Sequence, residues 1–275
     1  MTTPTGSGFD TAFLPFAVRL PTARKAIQGD LATPIGGGSV LDYEHFSLAM
    51  SRSRRLARWV AWNIDGSTRF DDIPRDDQKF RPDPRLPASG QVLDAVYDRN
   101  RLDRGHLARR ADLLWGTRDA AERANHDSFF FTNITPQMDN FNQAQRYGVW
   151  GRLEIAVLAV VDRQRASVLA GPVLGAGDPA YRGVQVPLEF WKLLAYEIDG
   201  VPRVRIFLVT QKLQPGVLPD PFAEFETYSI TAAELSDRTE LSLSRELRSH
   251  VVAEPSAAGA LTERRPLDAA AAISW

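Results

Sequence analysis

Four apolar runs constrain this chain more than any other feature. They are Leu56-Ala57-Arg58-Trp59-Val60-Ala61-Trp62-Asn63-Ile64, Ser167-Val168-Leu169-Ala170-Gly171-Pro172-Val173, a segment within Val186–Ile198, and Val204-Arg205-Ile206-Phe207-Leu208-Val209-Thr210. Their β-branched and aromatic content is that of strands. Asp199-Gly200 separates the last two, a turn dipeptide that closes a hairpin, and Asp65-Gly66 ends the first at a hairpin or tight corner. Ahead of them, Tyr43, Phe46, Leu48 and Met50 alternate as a half-buried strand should. These runs point to a mainly antiparallel sheet.

Helical signals are fewer. Asp119, Glu122 and Arg123 follow Gly116 with helical spacing, which predicts a helix over Arg118–Asn125. Tyr147, Trp150, Leu153, Val157 and Val161 recur at three and four residues and predict an amphipathic helix over 149–161. A short helix is expected near Thr231–Leu235. Between the first two helices, Phe129-Phe130-Phe131-Thr132 reads as a buried strand ending at Asn133. With a strand at Leu102–Leu107, the middle of the chain is a β–β–α sequence.

The 275 residues, 44% hydrophobic and 24% charged, are enough for one domain with tails. The expected division is an N-terminal arm and Gly-rich linker at 1–40, a domain at 41–250 and a C-terminal tail at 251–275. No apolar run approaches the ~18 residues of a membrane span, and the start lacks the basic and apolar regions of a secretory signal, so the protein is expected in the cytoplasm as encoded, with export by an unrecognised route left open. Zero cysteines exclude disulfides, thiolate metal sites and a cysteine nucleophile. The net charge of −1 excludes a polycation, but from Arg75 to Arg110 nine Arg/Lys face six Asp, and Arg52, Arg54, Arg55 and Arg58 add a second basic cluster. Most of the first group lies in a Pro-broken stretch, 67–101, too long for a mere connection.

Chemistry concentrates at Leu102-Asp103-Arg104-Gly105-His106-Leu107, Thr132-Asn133-Ile134-Thr135-Pro136-Gln137 and Asn142-Gln143. A neutral imidazole can deprotonate water, an arginine can hold a phosphate by two hydrogen bonds, and an amide oxygen is a hard ligand suited to Mg²⁺. That set suits phosphodiester hydrolysis. Zinc is disfavoured, because the four histidines, 45, 106, 126 and 250, have no paired-ligand spacing. His45 reads as a strand residue with a satisfied ring. Arg104 also admits an ordinary salt bridge, Asn133 a turn cap, and Asp103 a role in organising the loop or Arg104.

Asp103-Arg104-Gly105-His106, Thr132–Gln137, Asn142-Gln143 and Trp150-Gly151-Arg152-Leu153-Glu154 together resemble the signature of the DNA/RNA non-specific endonucleases, the ββα-metal nucleases similar to endonuclease G, with weaker likeness over Asp42–Thr210. The resemblance implies an α+β fold in which a ββα-metal finger is inserted on a central, mainly antiparallel sheet flanked by helices. It implies a Mg²⁺-dependent endonuclease, with Mn²⁺ as an alternative ion, acting on DNA and RNA. His106 is then the general base, Asn142 the direct metal ligand, Glu154 a ligand through water, Arg104 a phosphate contact and Asn133 a supporting hydrogen-bonder. The upstream phosphate clamp falls on Arg75, with Arg81 as competitor.

One spacing departs from the family pattern. Asn142 and Glu154 are twelve residues apart instead of eight, about 18 Å on a continuous helix. A break at Gly148 would shorten that path; otherwise Asp139 is the nearest substitute carboxylate. The alternatives are an inactive nucleic-acid-binding module on the same scaffold, or a small-molecule phosphodiesterase closed by the 67–101 loop. An inhibitor or immunity protein is a further expected partner, no membrane partner is expected, and a dimer is compatible with the sequence. A histidine of ordinary pKa would make the rate fall as pH drops through about 6.5.

Overall fold

The computed structural model describes residues 4, 6–75, 78–143, 150–151, 153–154, 164–211 and 227–252. The apolar runs pair as a seven-stranded antiparallel sheet. Its strands are β2 (Leu41–Tyr43), β3 (Phe46–Met50), β4 (Ala57–Asp65), β7 (Arg165–Val173), β10 (Glu189–Ile198), β11 (Val201–Thr210) and β12 (Thr227–Ser229), in the spatial order β12-β11-β10-β7-β4-β3-β2. Small two-stranded pairs are made by β1 (Thr22–Ala23) with β13 (Leu241–Ser242), β5 (Leu102–His106) with β6 (Ile134–Met138), and β8 (Ala180–Tyr181) with β9 (Val184–Gln185). Asp199 and Gly200 both have positive φ, 50° and 77°, and join β10 to β11 as the sequence indicates. Asp65 ends β4 differently: its carboxylate accepts from Ser67 N at 3.1 Å and caps a short 3₁₀ turn, Gly66–Thr68, making a corner without a hairpin.

Each face of the sheet carries its own core. Val60, Trp62 and Ile64 of β4 join Tyr43, Phe46, Val168, Phe190, Leu194 and Phe207 on one face. Trp59 and Ala61 join Leu169, Trp191, Leu193, Ile206 and Leu208 on the other, together with Phe9, Leu14, Phe16 and Val18 from the N-terminal segment and Leu235 and Leu247 from two C-terminal helices, Ala232–Thr239 and Arg245–Ser249. Burial on both faces explains a departure from the sequence-based expectation. The run from 41 to 50 is two strands, not one half-buried strand, because Glu44-His45 turn the chain with His45 at φ 70°, and every residue of β3 is buried. His45 is accordingly a turn residue, its ring stacked on Trp115 at 3.7 Å and its Nδ1 2.8 Å from Leu113 O.

Two one-turn helices, α1 (Lys25–Gln28) and α2 (Arg110–Leu113), precede the longer α3 (Arg118–Asp127). Helix α3 starts where Thr117 caps Ala120 N, close to the predicted span, and Thr231 similarly caps the helix Ala232–Thr239. A second strand does not form at Phe129–Thr132. Phe129 and Phe130 are buried in the turn beyond α3, Phe131–Asn133 is a 3₁₀ turn, and the strand, β6, begins at Ile134. Pro136 lies in β6 opposite Arg104, tolerable because β5–β6 is a two-stranded ribbon. Trp150, Gly151, Leu153 and Glu154 are helical; the rest of the predicted 149–161 helix and the tail beyond 252 lie outside the described residues. Among the described residues no helix is long and apolar enough to cross a membrane.

Candidate active site

The site is built on the β5–β6 ribbon, which lies on the Trp62 face of the sheet. In β5, a Cβ at Gly105 would stand 2.1 Å from Gln137 Oε1, so only glycine lets the buried Gln137 side chain cross β5 beside the histidine. Asn133 secures the next turn. It is fully buried, accepts from Ala108 N at 2.9 Å, and donates to Ala108 O at 3.0 Å and Ser128 O at 3.1 Å, while its backbone carbonyl accepts from Leu107 N at 3.0 Å. It clamps the two residues that follow His106 and does not line the pocket.

His106 is half-buried between aromatic rings. Phe129 meets it edge-on at 5.2 Å and 87°, and Phe80 at 5.7 Å. Its Nε2 is enclosed with no hydrogen-bond partner among the described residues, which leaves Nδ1 as the nitrogen able to face the pocket. Burial, and then the positive charges of Arg75 and Arg110, lower its pKa to about 3. On that value the ring is neutral at any ordinary pH, and the expected protonation moves from about 6.5 to strongly acidic solution.

The pocket, about 320 Å³, is lined by Arg75, Arg104, His106, Arg109, Arg110, Ala111, Asn142, Gln143, Gly151 and Glu154. Of the two candidate clamps, Arg75 is there. Arg81 instead lies over the Phe130 ring at 4.2 Å and bonds to His126. Arg104 reaches the pocket while paired with Asp94, Nη2 to Oδ1 at 2.6 Å, and its guanidinium stacks near Tyr97 and Phe80. The ordinary salt bridge is thus present, on a side chain that also lines the pocket.

Asn142 ends the short helix α4 (Asp139–Asn142). Its Nδ2 donates to Asp103 Oδ2 at 3.0 Å, and Gln143 Nε2 donates to the same oxygen at 2.8 Å. Asp103 therefore organises Asn142, not Arg104, and by engaging the NH₂ end it fixes the amide with Oδ1 as the remaining acceptor. Asp139 is held by Arg101, Nη2 to Oδ1 at 2.8 Å, and does not line the pocket. Glu154 does, despite the twelve-residue spacing. It is 8% exposed, with Oε2 3.5 Å from Arg109 Nε and Oε1 3.7 Å from Lys192 Nζ. Burial raises its pKa, opposed by those two cations.

Among the described residues no group of three or more His, Asp and Glu is placed to hold a metal. One oriented amide oxygen and one carboxylate beside an open pocket do fit an ion that keeps most of its waters, as Mg²⁺ does. Four residues at or behind the pocket are not singled out by the sequence. Arg109 and Arg110 follow the histidine motif directly but stand out there only as charge. Arg110 is tied to Asn125 Oδ1 at 2.5 Å. Lys192 and Asp112 are each 1% exposed, and a single lysine inside Phe190-Trp191-Lys192-Leu193-Leu194 is the signal the sequence offers.

Comparison with known proteins identifies relatives of the chain. The family model described as DNA/RNA non-specific endonuclease matches residues 30–249. The chain is 36% identical over 201 residues to an uncharacterised protein, y4fB, of Sinorhizobium fredii, covering 68% of this chain but 30% of that protein. It is 30% identical to a nuclease of Nostoc sp., covering 70% and 69% of the two, and 26% identical to the human mitochondrial nuclease EXOG, covering 67% and 46%. The chain thus spans about a third and about half of the lengths of y4fB and EXOG. Its fold is similar to that in the crystal structure of an EndoG/EndoGI complex, with a TM-score of 0.59 at 17% identity over 76% of this chain and 86% of that one. The chain belongs to the DNA/RNA non-specific endonuclease family.

Proposed function

We propose that this chain is a divalent-metal-dependent endonuclease that hydrolyses phosphodiester bonds in DNA and RNA with little sequence preference. The observation that carries the reading is a single pocket in which a histidine held neutral, an amide oriented by Asp103, a buried carboxylate and four arginines meet. Asn142 Oδ1 would hold a Mg²⁺ or Mn²⁺ ion directly and Glu154 would hold it through water; when bound, the ion supplies charge compensation for the phosphate and the leaving alkoxide. His106 Nδ1 removes the proton from the attacking water, which requires the tautomer with hydrogen on Nε2. The Phe80 and Phe129 rings keep that nitrogen aimed. Arg75 and Arg104 bind the phosphate, and Arg104 exchanges its Asp94 partner for it. Contacts of this kind carry no base information, which accounts for low specificity.

The unit carrying the activity is residues 41–250, with 1–40 as an arm and 251–275 as a tail. In the structurally similar EndoG/EndoGI complex EndoG is inhibited. For this chain the partner we propose is a protein inhibitor presenting carboxylates to the arginine-lined pocket. Incubation with supercoiled plasmid and with structured RNA tests the reading. Both substrates should be degraded with Mg²⁺ or Mn²⁺ and preserved with EDTA; intact substrates under every metal condition would remove the nuclease assignment.

A further inference from the structure

Under the pocket lies a lysine withdrawn from solvent. Lys192 sits in the middle of β10 between Phe190 and Leu194 on the sheet face that meets Trp150, and it is 1% exposed. Its Nζ is 4.0 Å from the Trp150 ring, 5.7 Å from the Trp62 ring and 3.7 Å from Glu154 Oε1. Arg109 approaches the same carboxylate by its other oxygen, Nε to Oε2 at 3.5 Å, and also stands 3.8 Å from Asp112 Oδ1. Asp112, also 1% exposed, accepts from the Trp62 indole at 3.2 Å. Two cations and two carboxylates therefore stand together, with Lys192, Asp112 and Glu154 buried and Arg109 reaching the pocket.

Lysine normally keeps its ammonium in water, and burying it is costly unless it is paired. The packing gives no reason for the charge, since Phe190 and Leu194 fill the same face as hydrocarbon. Of the four charged groups, Glu154 and Arg109 line the pocket, while Lys192 and Asp112 lie behind them.

We infer that Lys192 is a positioning residue: its ammonium, seated on Trp150, holds the Oε1 limb of Glu154 while Arg109 holds Oε2, so that the carboxylate faces the pocket in one orientation. Asp112 balances the second cation of the group. The inference rests on the reading of Glu154 as part of the site, and it makes Lys192 act only through Glu154.

A double-mutant cycle tests that dependence. Lys192→Met keeps length and removes charge. Its kcat should fall roughly 10- to 100-fold, the usual effect of losing a residue that orients a metal-site ligand, with KM within about twofold. Mn²⁺ affinity of the metal-free protein, measured by calorimetry, should fall as well. Glu154→Gln should lower both quantities, and Lys192→Met/Glu154→Gln should be no worse than Glu154→Gln alone. Losses that multiply would show that Lys192 has a separate role, and an unchanged Lys192→Met would remove it from the site; either overturns the inference. If Lys192→Met does not fold, Lys192→Met/Asp112→Asn preserves charge balance and takes its place, with Asp112→Asn as the reference. Wild-type protein that neither cleaves nor binds Mn²⁺ would instead overturn the functional reading on which the inference rests.

Discussion

His106 packs against two phenylalanine rings, and among the described residues no carboxylate is hydrogen-bonded to it; this enclosure bears on its titration. Enclosure and the guanidiniums of Arg75 and Arg110 all oppose the imidazolium, so protonation requires acid near pH 3 where an exposed ring would need only about pH 6.5. Between pH 8 and pH 5 the ring stays neutral, and its protonation belongs to strongly acidic solution. NMR titration of the ring C–H signals, assigned with His106→Gln, should show no protonation over that range. Arg75→Ala should move the midpoint upward. A wild-type midpoint near 6.5 would contradict this picture of the ring. The motif Asp103–Leu107 makes the histidine visible in the sequence, but not its environment, because Phe80 and Phe129 reach it from separate segments. Lys192 is hidden for the same reason, since its partners lie on three different elements.

At the scale of elements, the strands are legible where each run is bounded by turn residues. Asp199-Gly200 marks a hairpin whose ten-residue strands pair throughout, from Glu189 with Thr210 to Ile198 with Val201. Phe129–Phe131 misleads because three consecutive apolar residues fit a buried turn as well as a strand, and the ladder begins only at Ile134. On a straight helix twelve residues would separate Asn142 from Glu154 by about 18 Å; both line one pocket. In the long 67–101 segment the structure separates two arginines by their surroundings. Arg75 faces the pocket and Arg81 packs on Phe130. Arg75→Ala should reduce kcat/KM about 10- to 100-fold, the worth of a charge-assisted contact of roughly 1.5–3 kcal/mol, and equally on DNA and RNA. Arg81→Ala should lower the melting temperature more than the turnover. A change of base preference in Arg75→Ala, or the larger kinetic loss in Arg81→Ala, would reverse these assignments.

For the whole molecule, a formal charge of −1 conceals a pocket lined by Arg75, Arg104, Arg109 and Arg110. Arg104 and Arg109 already hold Asp94 and Glu154, so substrate should displace counterions from only two to four phosphates. The affinity of catalytically disabled protein for duplex DNA should then fall with a log–log salt slope of about −2 to −4. A slope near zero would exclude the pocket as the phosphate site, and one near −10 would require a much wider surface. Two cores, one on each face of the sheet, carry the ribbon and α4 on one side and the N-terminal segment on the other, so the site rests on a scaffold buried from both directions. The claim on which the rest depends is proton removal by His106. Single-turnover cleavage of plasmid and RNA by His106→Ala, with saturating Mg²⁺ and unchanged folding, should be slower than wild type by about 10²- to 10⁴-fold on both substrates; retention of wild-type rates would contradict the mechanism.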